Sequence, residues 1–221
     1  GSGRMKRLDY PDRDALMLAV ADAVVGDLRL ALSMNDRATL SVPGGTTPGP
    51  VFDVLSSVDL DWDRVDGVLN DERWVPESAP RSNMALLRDR LICNRASGAN
   101  LVPLYVPTET PELGLPQLIK GIESILPVDV LLLGMGADMH TASLFPGADQ
   151  LDLALSDAAP TLVAMRAPGA PEPRVTLSAS VLNGAMSRHI VIIGDEKRDA
   201  LEKAATMLPE DAPVAAILQG S

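Results

Sequence analysis

The chain is poor in most of the residues that mark a specialised fold. With a single cysteine, Cys93, and two histidines, it can form no intrachain disulfide and no Cys/His structural zinc site. A reducing cytoplasm is the expected compartment. Aromatic residues make up only 3%, which excludes a stacking platform for single-stranded nucleic acid and leaves Ala, Val, Leu, Ile and nine Met to build the core. Basic residues are outnumbered, 19 Lys+Arg against 30 Asp+Glu, for a net charge of −11. That balance opposes binding to duplex DNA or to an anionic membrane surface. No apolar run approaches the roughly 18 residues of a membrane span. Leu131 to Leu133 ends at Gly134, and the longest apolar helical stretch is broken by Asp22 and Asp27. Residues 1–4 read as an expression remnant ahead of Met5, and no signal-sequence pattern follows them. Internal repeats and low-complexity linkers are also lacking.

What remains is an ordinary globular composition, 46% hydrophobic and 22% charged. Leu16, Val20, Val24 and Leu28 recur every fourth position and predict an amphipathic helix from Asp14. Beyond it, strands alternate with helices. Ala38 to Val42 leads through a Pro-Gly-Gly turn into a helix from Pro48 to Leu55. Val65 to Leu69 precedes a helix over Met84 to Ile92, and Val128 to Leu133 is the clearest central strand. Arg174 to Leu177 leads into a helix around Ser180 to Ala185. A strand at Ile190 to Ile193 then precedes a helix from Asp195 to Met207. The order implies one α/β domain, residues 5–221, with a mainly parallel sheet covered by helices on both faces. Pro103 to Pro116 and Ala148 to Pro173 are expected to be loop excursions. In such sheets the ligand sits beyond the carboxyl ends of the strands. The unusual segments lie there: Pro43 to Pro48, Asn70 to Pro76, Gly134 to Gly147 and Gly194 to Lys197.

Gly44-Gly45-Thr46-Thr47 between a strand and a helix has the makings of an anion cradle, because glycines permit close backbone approach and helix amides favour negative charge. It is neither a Walker A loop nor a dinucleotide fingerprint. The plainer reading is a Thr-capped turn. Asp71-Glu72-Arg73 sets a guanidinium suited to bidentate anion contact beside two carboxylates, though alone it equally describes a solvated turn. His140 follows a Gly134-x-Gly136 turn and Asp138, and is the best general-base candidate. His189, where a strand begins at the opposite edge, reads as structural. Lys197 and Arg174 are further cationic candidates.

Taken in order, Gly44-Gly45-Thr46-Thr47-Pro48, Asp71-Glu72-Arg73-Trp74-Val75-Pro76 followed by Ser82-Asn83, Leu133-Gly134-Met135-Gly136 with His140-Thr141-Ala142-Ser143-Leu144-Phe145-Pro146, Arg174-x-Thr176 and Gly194-x-x-Lys197 resemble the 6-phosphogluconolactonase family. The set covers about residues 40 to 200. The resemblance implies a three-layer α/β/α sandwich related to glucosamine-6-phosphate isomerase/deaminase. It also implies hydrolysis of 6-phospho-D-glucono-1,5-lactone in the pentose phosphate pathway, with no metal or organic cofactor. The only partner it implies is the phosphorylated sugar lactone, the protein being a monomer or weak homo-oligomer. In that reading His140 is the base and Asp71 orients water or a sugar hydroxyl. Gly44 to Thr47, Arg73 and Lys197, with Arg174, hold the phosphate, and amides near Gly134 and Gly136 face the oxyanion.

One residue departs from the pattern: the family has Asp-Gly-His, this chain Asp138-Met139-His140. If that glycine serves a positive φ or a close approach, Met139 is expected to strain the backbone or crowd the site. Two other readings stand beside the lactonase. A sugar-phosphate isomerase or deaminase resembles this layout but carries His-Ile-Ala-Phe-Asn-Glu-Pro, whereas the run here lacks the Glu. A non-catalytic sugar-phosphate sensor would carry a helix-turn-helix ahead of it, and only about ten residues precede the first helix.

Overall fold

A computed structural model describes residues 7–219. The chain runs through α1 (Arg13–Met34), β1 (Ala38–Val42), α2 (Gly49–Ser56), β2 (Val65–Leu69), β3 (Asp71–Arg73), α3 (Asn83–Arg90) and β4 (Asn100–Val102). It continues through α4 (Pro111–Glu123), β5 (Val130–Leu133), α5 (Leu151–Leu155), β6 (Leu162–Met165) and β7 (Arg174–Leu177). The last elements are α6 (Ala179–Asn183), β8 (Ser187–Ile190), α7 (Asp195–Ala204) and α8 (Ala215–Gln219). The first helix begins where Asp12 accepts the N–H of Ala15 at 2.7 Å, a side-chain cap on the orphan amides of the first turn. Its apolar stripe, Met17, Val20, Ala21, Val24, Val25, Leu28 and Leu32, is buried. Complete burial of side chains such as Leu28 contributes about 1.5–3 kcal/mol apiece.

The five-stranded sheet has the order β4-β2-β1-β5-β8, every pair parallel. β1, β2 and β5 are buried along their whole length, as strands covered on both faces must be. The chain leaves β1 toward β2 on one side and later returns to β5 on the other. The β1/β5 boundary is therefore the topological switch point, where the loops leaving two neighbouring strands diverge and open a crevice.

A second sheet, β3-β7-β6, is antiparallel and was not expected. β3 follows β2 after a single residue, Asn70, and peels away to pair with β7, Asp71 opposite Thr176 and Arg73 opposite Arg174. Asn70 makes the bend: its N–H donates to the carbonyl of Val42 while its own carbonyl accepts from Leu177, both at 2.9 Å. The two predicted excursions are partly ordered. Residues 148–173 hold α5 and β6, and α4 starts inside the Pro-rich stretch. Pro111 is well placed there, in a first turn whose N–H would be unpaired anyway, and the helix tolerates Pro116 at the loss of one backbone bond. The last strand is Ser187–Ile190, not Ile190 to Ile193. Val191 still donates to Leu133 at 2.9 Å, but the chain then leaves the sheet toward Gly194. His189 accordingly lies within that strand, where its Nε2 meets Asp27 of α1 at 2.6 Å. It ties helix to sheet, a structural role.

Candidate active site

A cavity of about 240 Å³ opens at the switch point. It is lined by the turns after β1 and β5, by β3 and β7, and by the first turn of α7.

The turn after β1 supplies Gly44, Gly45, Thr47 and Pro48 to the lining. Gly45 has φ +82°, a left-handed conformation that glycine adopts without cost. Thr46 is exposed and does not line the cavity; its carbonyl closes the turn by accepting the N–H of Gly49 at 3.2 Å. Gly44 is required for a different reason than close approach of an anion. A Cβ there would lie 2.1 Å from Cγ of Asn83.

The turn after β5 carries His140. Asp138 accepts twice from this residue, from Nδ1 at 2.5 Å and from the backbone N–H at 3.0 Å. A carboxylate can only accept, so Nδ1 carries the proton of this contact, and Nε2 has no hydrogen-bond partner among the described residues. The ring rests against Phe145, centroids 4.5 Å apart. The loop folds on itself: Gly136 donates to the carbonyl of His140 at 3.0 Å, Met139 to that of Gly136 at 2.9 Å, and the Thr141 hydroxyl to that of Gly134 at 2.8 Å. A Cβ on Gly136 would fall 2.2 Å from Cε1 of His140, so only glycine admits the imidazole. The amide of Gly136 is spent inside the loop. That weakens the expected oxyanion role of this residue, while Gly134 lines the cavity.

Met139 has φ +69°, which accounts for the glycine of the family pattern. The expected strain is present, but the crowding is not, because Met139 is not among the cavity-lining residues. Its side chain packs against the small apolar cluster of Met135, Ala204, Ala212, Val214 and Ala215, and its carbonyl accepts from Val214 at 3.0 Å.

The third wall is charged. Asp71 is buried, and its Oδ2 accepts the Ser143 hydroxyl at 2.6 Å. The Ser143 N–H in turn donates to the hydroxyl of Thr176 at 3.2 Å, so the His140 loop and β3–β7 are tied through Asp71. Arg73 donates from Nη1 to the carbonyl of Arg81, and Arg174 pairs with Glu172 at 3.3 Å. Both arginines line the cavity, and each has a buried Nε–H without a partner among the described residues. Burial holds the Arg174 pKa below its ordinary value, with Asp71 and Glu172 pulling it back up and Arg73 and Arg81 adding to the depression. A guanidinium keeps its charge regardless. The Arg174 guanidinium lies 5.5 Å from the Phe145 ring centroid, which places it at the His140 end of the cavity. Lys197, in the first turn of α7 after Gly194 (φ +97°), completes the lining.

Every other predicted site residue, His140, Asp71, Gly44, Gly45, Thr47, Arg73, Arg174, Lys197, Gly134 and Gly136, meets at this one cavity. Sequence reasoning missed Asp138 as the orienting partner, Ser143 behind Asp71, and Asn83. The Asp-x-His spacing signalled the first; the other two depend on contacts between distant segments.

Residues 11–221 match the family described as glucosamine-6-phosphate isomerases/6-phosphogluconolactonase. A 6-phosphogluconolactonase of Mesorhizobium japonicum is 38% identical over 214 residues, spanning 96% of this chain and 90% of the relative. The crystal structure of a 6-phosphogluconolactonase from Shewanella baltica superposes with a TM-score of 0.91 at 34% identity, covering 95% of this chain and 90% of that one. A monomeric glucosamine-6-phosphate deaminase shares the fold alone, with a TM-score of 0.78 at 18% identity over 98% of this chain and 94% of that one.

Proposed function

Since the chain belongs to the glucosamine-6-phosphate isomerase/6-phosphogluconolactonase family, we propose that it hydrolyses 6-phospho-D-glucono-1,5-lactone to 6-phosphogluconate, with His140 as the general base. The observation that supports the catalytic assignment is the Asp138–His140 pair: Nδ1 is engaged by the carboxylate and Nε2 is left without a protein partner among the described residues, on a ring that lines a cavity walled by two arginines.

A lactone carbonyl needs a base for water, stabilisation of the oxyanion and a proton for the leaving ring oxygen. Nε2 of His140 takes a proton from water as the oxygen attacks C1, and the negative charge of Asp138 stabilises the imidazolium that forms. The C1–O bond to the ring oxygen then breaks as the imidazolium returns its proton there, and the product acid ionises in solution. With the Gly136 amide already engaged, the developing oxyanion is served by Arg174 at the His140 end. Asp71, held by Ser143, orients the attacking water or a sugar hydroxyl. Arg73, Lys197 and the Gly44–Gly45 turn hold the 6-phosphate. No cofactor enters this scheme. The lone Cys93 suits a reducing cytoplasm, and no described helix is long and apolar enough to cross a membrane.

The test is lactone hydrolysis measured beside buffer alone, to subtract spontaneous opening. His140→Gln should fold normally and lose about 10²–10⁴-fold in turnover, the usual worth of a positioned acid–base group. Wild-type turnover in that variant would end the assignment.

A further inference from the structure

Asn83, the first residue of α3, is aimed by a carboxylate that the hydrolysis itself does not use. Glu72 is 1% exposed; its Oε1 accepts the backbone N–H groups of Arg73 and Asn83, both at 2.9 Å, and its Oε2 that of Met84 at 2.8 Å. A negative group at the positive end of a helix is a favourable arrangement. It also spends the leading amides of α3 on protein, so the helix end is not itself an anion site. What faces the cavity is the Asn83 side chain. Its carboxamide lies so closely on Gly44 that a Cβ there would fall 2.3 Å from both Nδ2 and Oδ1. The residue as a whole is 5% exposed, but its carboxamide is not among the fully buried unpaired groups: it opens on the cavity and has no hydrogen-bond partner among the described residues. An amide fixed at a cavity wall with no protein partner keeps its donor and acceptor for whatever enters the cavity.

We infer that Asn83 is a substrate-binding residue whose Nδ2 donates to an oxygen of the phosphate at the Gly44–Gly45 turn, and that Glu72 is the positioning residue that holds it there. The inference rests on the phosphate placement proposed above. A phosphate is favoured over a sugar hydroxyl because the amide sits on the turn glycine itself. A neutral donor there adds direction to the charge that Arg73 and Lys197 supply.

Calorimetric titration of the intact protein with inorganic phosphate and with 6-phosphogluconate tests this. Asn83→Ala should weaken both probes about tenfold, a typical loss for one hydrogen bond to a charged group. Asn83→Asp, which sets a carboxylate against the anion, should weaken both further, and Lys120→Ala, on an exposed face, should leave them unchanged. Glu72→Gln should weaken phosphate binding in the wild-type background but add nothing to Asn83→Ala; additive effects would overturn the positioning role. Retention of both probes by Asn83→Ala would overturn the binding role. So would weaker 6-phosphogluconate binding with inorganic phosphate unaffected, which would mark a hydroxyl contact instead. If Lys197→Ala also leaves phosphate binding intact, the placement of the phosphate fails with it; loss in Lys197→Ala alone condemns only the assignment of Asn83.

Discussion

Substituting Gly136 by alanine probes the catalytic geometry without touching an ionisable group. The added Cβ would lie 2.2 Å from Cε1 and 2.3 Å from Nδ1 of His140, and 2.8 Å from Oδ1 of Asp138. Carbon atoms at rest stand about 3.5–4.0 Å apart, so the ring must retreat by more than ~1 Å. The ring cannot do so and keep the 2.5 Å contact to Asp138. Misplacing a reacting group by that much costs on the order of 10²-fold. Gly136→Ala is therefore expected to lower kcat about a hundredfold. KM should change by less than about threefold, since the groups proposed to hold the phosphate lie on other loops. The assay follows acid released on lactone opening, corrected for the spontaneous rate, with a melting curve to confirm the fold. Gly121→Ala, where a Cβ meets nothing within 4 Å, is the matched control. A folded Gly136→Ala protein with more than about a third of wild-type kcat would refute the reasoning, because the imidazole would then be productive from another position.

Two further outcomes follow from the same structure. Met139→Gly relieves a left-handed conformation worth roughly 1–2 kcal/mol. It also forfeits a half-buried side chain worth about 1 kcal/mol and adds about 0.5–1 kcal/mol of glycine entropy. The melting temperature should thus move by no more than about 4 °C and kcat/KM by less than about threefold, and a tenfold gain in kcat/KM would show that the methionine obstructs the site. Acid stability is the other case. Burial pushes the Asp66 carboxyl up, but hydrogen bonds from Arg37 and Asn100 carry it below its ordinary 3.8. Hydrogen bonds from Arg81 to Glu172 and from Arg166 to Glu112 likewise hold those groups below 4.5. Depressed carboxyls contribute stability that is whole above the unfolded values and is lost as pH falls through the folded ones. Asp53, hydrogen-bonded by Arg90, is lowered as well, so Glu72, raised by burial, works in the opposite sense as one group against four. Melting temperature should hold from pH 7 to about 5 and fall below about 4.5; a flat profile down to pH 3 would contradict these pairings.

The parts of the site legible from sequence are those encoded locally. A buried run followed by glycines, as at Val42 or Leu133, reports both a strand and the place where it ends, and the parallel order then brings the strand ends together. Asp138 is two residues from His140, so their contact is written in the spacing. The antiparallel sheet is different: Asp71 meets Thr176 across more than a hundred residues, on strands of three and four residues whose polar content resembles a loop. Ser143 matters only because that pairing delivers Asp71 to it, and Asn83 only because Gly44 yields it space. The helix inside the Pro-rich stretch was hidden because proline signals a break in sequence, whereas Pro111 sits where a helix has no bond to lose.

The excess of acid also takes on a different meaning once charges have positions. A net charge of −11 opposes an anionic substrate at long range. At the cavity, however, Arg73, Arg174 and Lys197 converge on a space that a single buried carboxylate, Asp71, shares. Elsewhere, part of the acid is paired on the periphery, as Asp53 with Arg90 and Glu112 with Arg166. At a Debye length near 8 Å, remote carboxylates are screened while groups inside a partly buried pocket are not. The substrate therefore meets the local field. Added salt should reduce the long-range repulsion more than it weakens the contacts proposed for Arg73 and Lys197.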